Sequence, residues 1–355
     1  AAADNTAVSV TLSNEQTAAA NPRKCCPNGV NCVVANSCST TFNTAGFIFS
    51  SAANGGVATI PTQVAGTTSD TFFLRAVRTN TTTKACAAAL AGPNTVNFAY
   101  ECNNPLTCSG ANLMSVNGGV ATTIARNDNG SVTSYTPVNM TFDVDGNAPF
   151  TLNYSDVGLV KLYASKAASG SLLSSLVGST NSFVVRPHHF DLSAIKCTTA
   201  NAANCGAGAL AMPTPGDNPG ALDATGASFI KAGKPFSVTV TARASTGSAT
   251  PNYGREIASE SVILRPALVA GLGLTNNPDL GNATAFGAFS GGVATGTTFN
   301  WPEVGIISLT PKVAPQDAEG LDAGDYLGAG NVIGTASSNV GRFYPDHFAL
   351  SGASL

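Results

Sequence analysis

Three kinds of side chain in this sequence carry enough chemistry to catalyse or to ligate, and their spacing decides what each can do. All three histidines, His188, His189 and His347, fall in two short motifs, Arg186-Pro187-His188-His189-Phe190 and Tyr344-Pro345-Asp346-His347-Phe348. Imidazole is the group whose ordinary pKa places proton transfer and metal ligation near neutral pH. A metal pair or an acid–base site is one reading of them. Neighbours on a strand face opposite ways, however, so His188 and His189 on a strand would not share one ion. The other reading is a junction, where proline closes one unit and phenylalanine opens the next. Asp143-Val144-Asp145-Gly146-Asn147 alternates oxygen side chains around a glycine, as calcium loops do. The glutamate that completes an EF-hand loop is missing at its distance, and Asp-Gly-Asn is also an ordinary hairpin turn. Calcium at Asp143, Asp145 and Asn147 is therefore the one cofactor the sequence suggests; otherwise none is expected. The same aspartates, two apart on a strand, would be the carboxylate pair of a β-sandwich hydrolase. No G-x-S-x-G elbow exists and no histidine stands outside the two motifs, so no catalytic residue is assigned and an enzyme is not expected.

The nine cysteines are Cys25, Cys26, Cys32, Cys38, Cys86, Cys102, Cys108, Cys197 and Cys205. A zinc site wants two closely spaced ligand pairs, and no such double pair occurs. Cys102/Cys108 and Cys197/Cys205 instead bracket short loops, which suits local disulfide staples. The pairing of the others is not readable, and the odd count leaves one free or paired elsewhere. Disulfides persist in oxidising compartments, so the chain is expected to be exported.

The 355 residues hold 17 basic and 20 acidic side chains, for a net charge of −3. Charged residues make up 10%, against about 25% in an average soluble protein. Nucleic acid is excluded as a partner, because phosphate affinity needs clustered Lys and Arg. With 43% hydrophobic residues the composition is not that of a disordered chain. No apolar run reaches the ~20 residues of a membrane span.

Ser9–Leu12, Thr71–Val77, Phe236–Ala242 and Gly305–Leu309 are rich in β-branched or aromatic residues and bounded by turn residues, so strands are expected there. Asn54-Gly55, Asn117-Gly118, Asn129-Gly130 and Gly146 mark tight turns. The best helical candidate is Lys166–Val177. Short strands at intervals of about ten residues predict an all-β protein of tandem immunoglobulin-like β-sandwich modules with disulfide-stapled loops.

The sequence also repeats. Phe142-x11-Tyr154-Ser155-Asp156-Val157-Gly158 returns as Phe289-x11-Trp301-Pro302-Glu303-Val304-Gly305. Val64-Ala65-Gly66 returns as Lys231-Ala232-Gly233, and each histidine motif closes one copy. An aromatic ahead of an acid and a returning strand can plug the core at a sandwich corner, so Tyr154, Asp156, Gly158, Trp301, Glu303 and Gly305 are read as structural corners. Arg186, Pro187, His188, His189, Phe190, Pro345, His347 and Phe348 are read as junction residues. The resulting division is 1–38, the end of a preceding module plus a Cys-rich segment; 39–187, a first unit with a possible subdomain split near 109; 188–345, a second, homologous unit; and 346–355, the start of a further module.

The histidine motifs, the run Ala76-Val77-Arg78-Thr79-Asn80-Thr81-Thr82-Thr83-Lys84-Ala85-Cys86 and the run Phe98-Ala99-Tyr100-Glu101-Cys102-Asn103-Asn104-Pro105-Leu106-Thr107-Cys108 together resemble the large β-rich domain of MshQ-like proteins. That family is named for the mannose-sensitive haemagglutinin type IV pilus. The resemblance implies placement on a Gram-negative surface, beside a lectin-like domain elsewhere in the chain, and supplies no catalytic residues. The expected function is a non-enzymatic stalk or scaffold of a pilus-associated or adhesive assembly. Its expected partners are other modules of the same longer chain and pilus or surface-assembly proteins. Three alternatives stand beside it: a glycan-binding adhesin module contacting sugar near Tyr100, Tyr135 and Tyr253, a filament subunit, and the hydrolase above.

Overall fold

The computed structural model describes residues 6–11, 24–25, 33–34, 37–42, 45–80, 86–169, 172, 174–198, 203–206, 216–269, 277–315 and 324–352. Before residue 45 it gives backbone pairing: β1 (Thr6–Thr11) runs antiparallel to β4 (Ser37–Phe42), and β2 (Lys24–Cys25) to β3 (Val33–Val34).

Two sandwiches follow. In the first, one sheet has the order β11 (Ala121–Thr123), β10 (Met114–Asn117), β14 (Asn147–Tyr154), β7 (Phe72–Thr79), β5 (Ala45–Ser50), with β8 (Cys86–Ala88) also on β7. Its partner runs β12 (Ala125–Asn127), β9 (Gly92–Asn104), β15 (Gly158–Lys166), β16 (Leu176–Arg186), β6 (Gln63–Val64), with β13 (Thr136–Phe142) also on β9. Strands from before and after residue 109 alternate within both sheets, so no seam divides this unit there. The second sandwich pairs β17 (His189–Cys197), β19 (Phe236–Arg243) and β21 (Val293–Phe299) against β18 (Ile230–Lys231), β23 (Val340–Tyr344), β22 (Gly305–Val313) and β20 (Val262–Leu268).

The period-two pattern explains these strands. Phe72, Leu74 and Ala76 of β7 are buried while Phe73, Arg75 and Val77 between them are partly exposed. Residues 166–177 form no helix among the described residues. Lys166 pairs with Leu176 and Ser165 with Val177, so the segment ends one strand and begins the next. Serine and glycine there gave the helical reading little support, and strand pairing overrides it.

The cores do not follow the sandwich boundary. One cluster of buried side chains fills the first sandwich and runs on through Phe190, Val240, Ala242, Tyr253, Val262, Val313 and Tyr326 of the second. A second cluster around Phe229, Phe236, Phe299, Trp301 and Phe343 fills the far half of the second sandwich. Leu192 and Phe286 pack against both.

Candidate functional site

The repeated corner folds the same way twice, bond for bond. In the first sandwich the Gly66 N–H donates to the Tyr154 carbonyl at 2.8 Å and the Ala65 N–H to the Arg186 carbonyl at 2.9 Å. In the second, Gly233 donates to Trp301 at 2.7 Å and Ala232 to Tyr344 at 2.8 Å. The turn glycines have φ of 76° and 75°, and Gly158 and Gly305 have 132° and 134°, a region that side chains other than hydrogen disfavour. The acid of each corner accepts the N–H of the next residue: Val157 to Asp156 Oδ1 at 2.9 Å, Val304 to Glu303 Oε1 at 2.8 Å. Tyr154 and Trp301 are both buried.

The first corner is covered by the second sandwich. Asp156 Oδ1 also accepts the N–H of Asn252 at 2.9 Å, and the Asn252 carboxamide donates to the Tyr154 hydroxyl at 3.0 Å and the Val157 carbonyl at 3.1 Å. The Asn252 Oδ1 accepts the Ser109 N–H at 2.6 Å, so one wholly buried side chain ties the 154–157 corner of the first sandwich to its loop at Ser109. Around it, Ser245 donates to the Ala65 carbonyl at 2.8 Å, Ile257 N–H to Asn104 Oδ1 at 2.8 Å and Arg255 to the Thr107 carbonyl at 3.2 Å.

This seam holds ionisable groups away from water. Burial pushes the Asp156 carboxyl up to about 7, against the pull of the Asn252 and Val157 N–H donors and of Arg255; Glu256 adds to the rise. Its Oδ2 is buried with no hydrogen-bond partner. Burial likewise raises Glu256, although the Tyr326 hydroxyl donates to it at 2.6 Å. Leu327 N–H donates to Glu260, itself buried, at 3.2 Å. Burial pushes the Tyr100 hydroxyl up to about 12, and those of Tyr154, Tyr253 and Tyr326 well above their ordinary range. Tyr253 meets Phe190 edge-on at 5.3 Å, Phe289 at 4.7 Å and Tyr326 at 5.7 Å. The arrangement binds one sandwich to another; nothing in it presents a nucleophile to a cleft.

The other sequence candidates lie apart from this seam or on its rim. His188 and His189 do come together, with Nδ1 atoms 2.8 Å apart. His188 precedes the first residue of β17, so strand alternation does not separate the two rings as expected. His189 also meets Asp191 at 3.3 Å, and Asp191 is held by Arg243 at 3.0 Å. Arg186 donates to the Asn331 carbonyl at 3.4 Å. Asp143 and Asp145 are not on one strand: they form the turn between β13 and β14. Asp143 Oδ1 accepts the N–H groups of Asp145 and Asn147 at 2.9 and 2.8 Å, and these bonds hold its carboxyl below the usual range. Asn147 Oδ1 already accepts from Asn54 and Arg75. Among the described residues no three His, Cys, Asp or Glu side chains gather as a metal-holding group. Tyr100 and Tyr253, expected to meet glycan, are fully buried, because both rings are needed to fill the core; only Tyr135 of the three reaches the surface.

Disulfides join Cys102 to Cys108 and Cys197 to Cys205, with Cα atoms 5.8 and 5.9 Å apart, and Cys86 is a free, exposed thiol. The side chains of Cys25, Cys26, Cys32 and Cys38 lie outside the described residues.

Asn252, Glu256, Glu260 and Tyr326 were not singled out from the sequence, because their loops lie outside the repeated motifs. Two glutamates four residues apart, next to Asn252-Tyr253 in a chain so poor in charge, were the available signal.

Fold and seam together define an all-β protein of tandem immunoglobulin-like sandwiches locked through a buried polar joint. Sequence profiles of one family match in succession: domain of unknown function DUF6701, first Ig-like domain, over residues 22–178; its second domain over 186–301; its third over 303–355. The chain belongs to this family. The boundary between the second and third matches falls at the Trp301–Glu303 corner, inside one sandwich, where β22 and β23 complete the sheet begun by β18 and β20. No curated protein matches the sequence. Solved structures similar to it include invasin, a bacterial integrin-binding protein, at 13% identity over 85% of this chain and 40% of that one, with a TM-score of 0.31. FdeC, an Escherichia coli adhesin, matches at 12% over 86% and 70%, TM-score 0.31, and the D0–D1 domain of intimin at 14% over 84% and 97%, TM-score 0.19. Similarities this low carry no argument about domain arrangement or activity.

Proposed function

We propose that this chain is a non-enzymatic segment of an exported bacterial surface protein, a stalk or scaffold that holds a binding domain away from the cell in a pilus-associated or adhesive assembly. The observation that carries this reading is the seam at Asp156 and Asn252: it turns two sandwiches into one stiff length, which is what display requires and what a soluble binder does not need. The two disulfides suit an oxidising compartment, and the likeness of the sequence motifs to MshQ-like proteins points toward a type IV pilus setting. Immunogold electron microscopy on intact cells, with antibody raised against residues 190–345, tests it. Label on filaments or at the cell surface is the expected result; protein found only free in periplasm or medium would overturn it.

A further inference from the structure

The second sandwich ends in the same corner that, on the first, is covered by its neighbour. A Cβ placed on Gly66 would meet Ser245 and Ala244 of the next sandwich at 3.0 and 3.1 Å; on Gly233 it would meet nothing within 4 Å. Asp156 is buried, whereas Glu303, which makes the same bond to its following N–H, is partly exposed. Beside it, Ala224, Val304, Ile306, Phe343 and Pro345 line an open groove of about 240 Å³.

The segment that leaves this end repeats the first strand of the second sandwich. Pro187 and Phe190 are buried at the seam; their counterparts Pro345 and Phe348 are exposed, Phe348 at 88%, and Leu350, the counterpart of Leu192, at 98%. These are two exposed apolar side chains at alternate positions, the spacing of one face of a strand.

We infer that the outer end of the second sandwich is the seat of a further β-sandwich of the same build, with residues 346–351 as its first strand. By the geometry of the first seam, that module sets a backbone N–H on the Ala232 carbonyl. Its loop then presents a second N–H to the Glu303 carboxylate and a side-chain carboxamide to the Val304 carbonyl. The inference extends the stalk reading but is read out on purified protein, so a failed surface-labelling experiment leaves its result standing.

Hydrogen exchange compares the 355-residue chain with its full-length parent protein. The expected result is slowing of about 100-fold at the amides of 346–351 and 304–306 in the parent. Glu303→Ala is expected to reverse part of that slowing at 304–306 in the parent, measured against the same variant of the 355-residue form, in which the Val304 N–H loses the same acceptor. Equal exchange in the two forms, or a parent chain in which nothing folds beyond residue 355, overturns the inference.

Discussion

Asp156 is the residue on which the seam's chemistry turns. Its ordinary pKa is 3.8, and burial lifts it to about 7 in the folded chain, so folding favours the protonated form. That contribution is complete below about pH 3.8 and is lost as pH rises toward 7, by up to about 4 kcal/mol at about 1.4 kcal/mol per unit. Asp156→Asn keeps an oxygen for the two N–H donors and removes the buried charge. Its melting temperature is expected to exceed that of the native protein at pH 8 and to match it more closely at pH 5; a variant that melts lower at both would refute the assignment. The charged and ionisable groups facing Asp156 are Arg255, Glu256, Tyr154, Tyr100 and Tyr326, and only Arg255 favours the anion. Asn252→Ala leaves the Tyr154 hydroxyl, the Val157 carbonyl and the Ser109 N–H without partners, at roughly 1–3 kcal/mol for each buried group left unpaired. A loss of about 3 kcal/mol or more in urea denaturation is expected, and a change within error would show that the carboxamide does not hold the seam. Asp156 itself was visible in the sequence as part of a repeat. Its partner was not, since Asn252 sits in a loop outside the repeated motifs, and no spacing rule links positions nearly a hundred residues apart.

Among the elements, the loop closed by Cys102 and Cys108 does more than end β9. Within or beside that loop, Asn104 and Thr107 accept from Ile257 and Arg255 and Ser109 donates to Asn252, so the staple fixes the face that grips the second sandwich. Closing so short a loop is worth about 2 kcal/mol in chain entropy. Cys102→Ser with Cys108→Ser is expected to cost about that much in urea denaturation. It should also speed amide exchange at 252–257, across the seam. Faster exchange confined to 102–109 would make the staple a local one. The strands were largely legible, because alternation in segments such as Thr71–Val77 and Gly305–Leu309 leaves little freedom of interpretation. Lys166–Val177, a weak helical candidate, pairs instead as the end of one strand and the start of the next; the serine-rich connection between them carries no periodicity of its own. The face-sharing of Asp143 and Asp145 was misread because strand geometry was assumed for residues that turn.

For the whole molecule, the division of cores matters more than the division of sequence. One apolar cluster crosses the seam, and the far half of the second sandwich has its own. The repeat was read as two units, and sequence repetition gives no sign that part of one unit shares the other's core. The sandwiches therefore act as one body, and calorimetry on the 355-residue chain tests that most directly. The sandwiches are expected to unfold together in one transition with equal calorimetric and van 't Hoff enthalpies, and Asn252→Ala to split it in two. Two independent transitions in the native chain would contradict the claim, leaving sandwiches that are merely tethered.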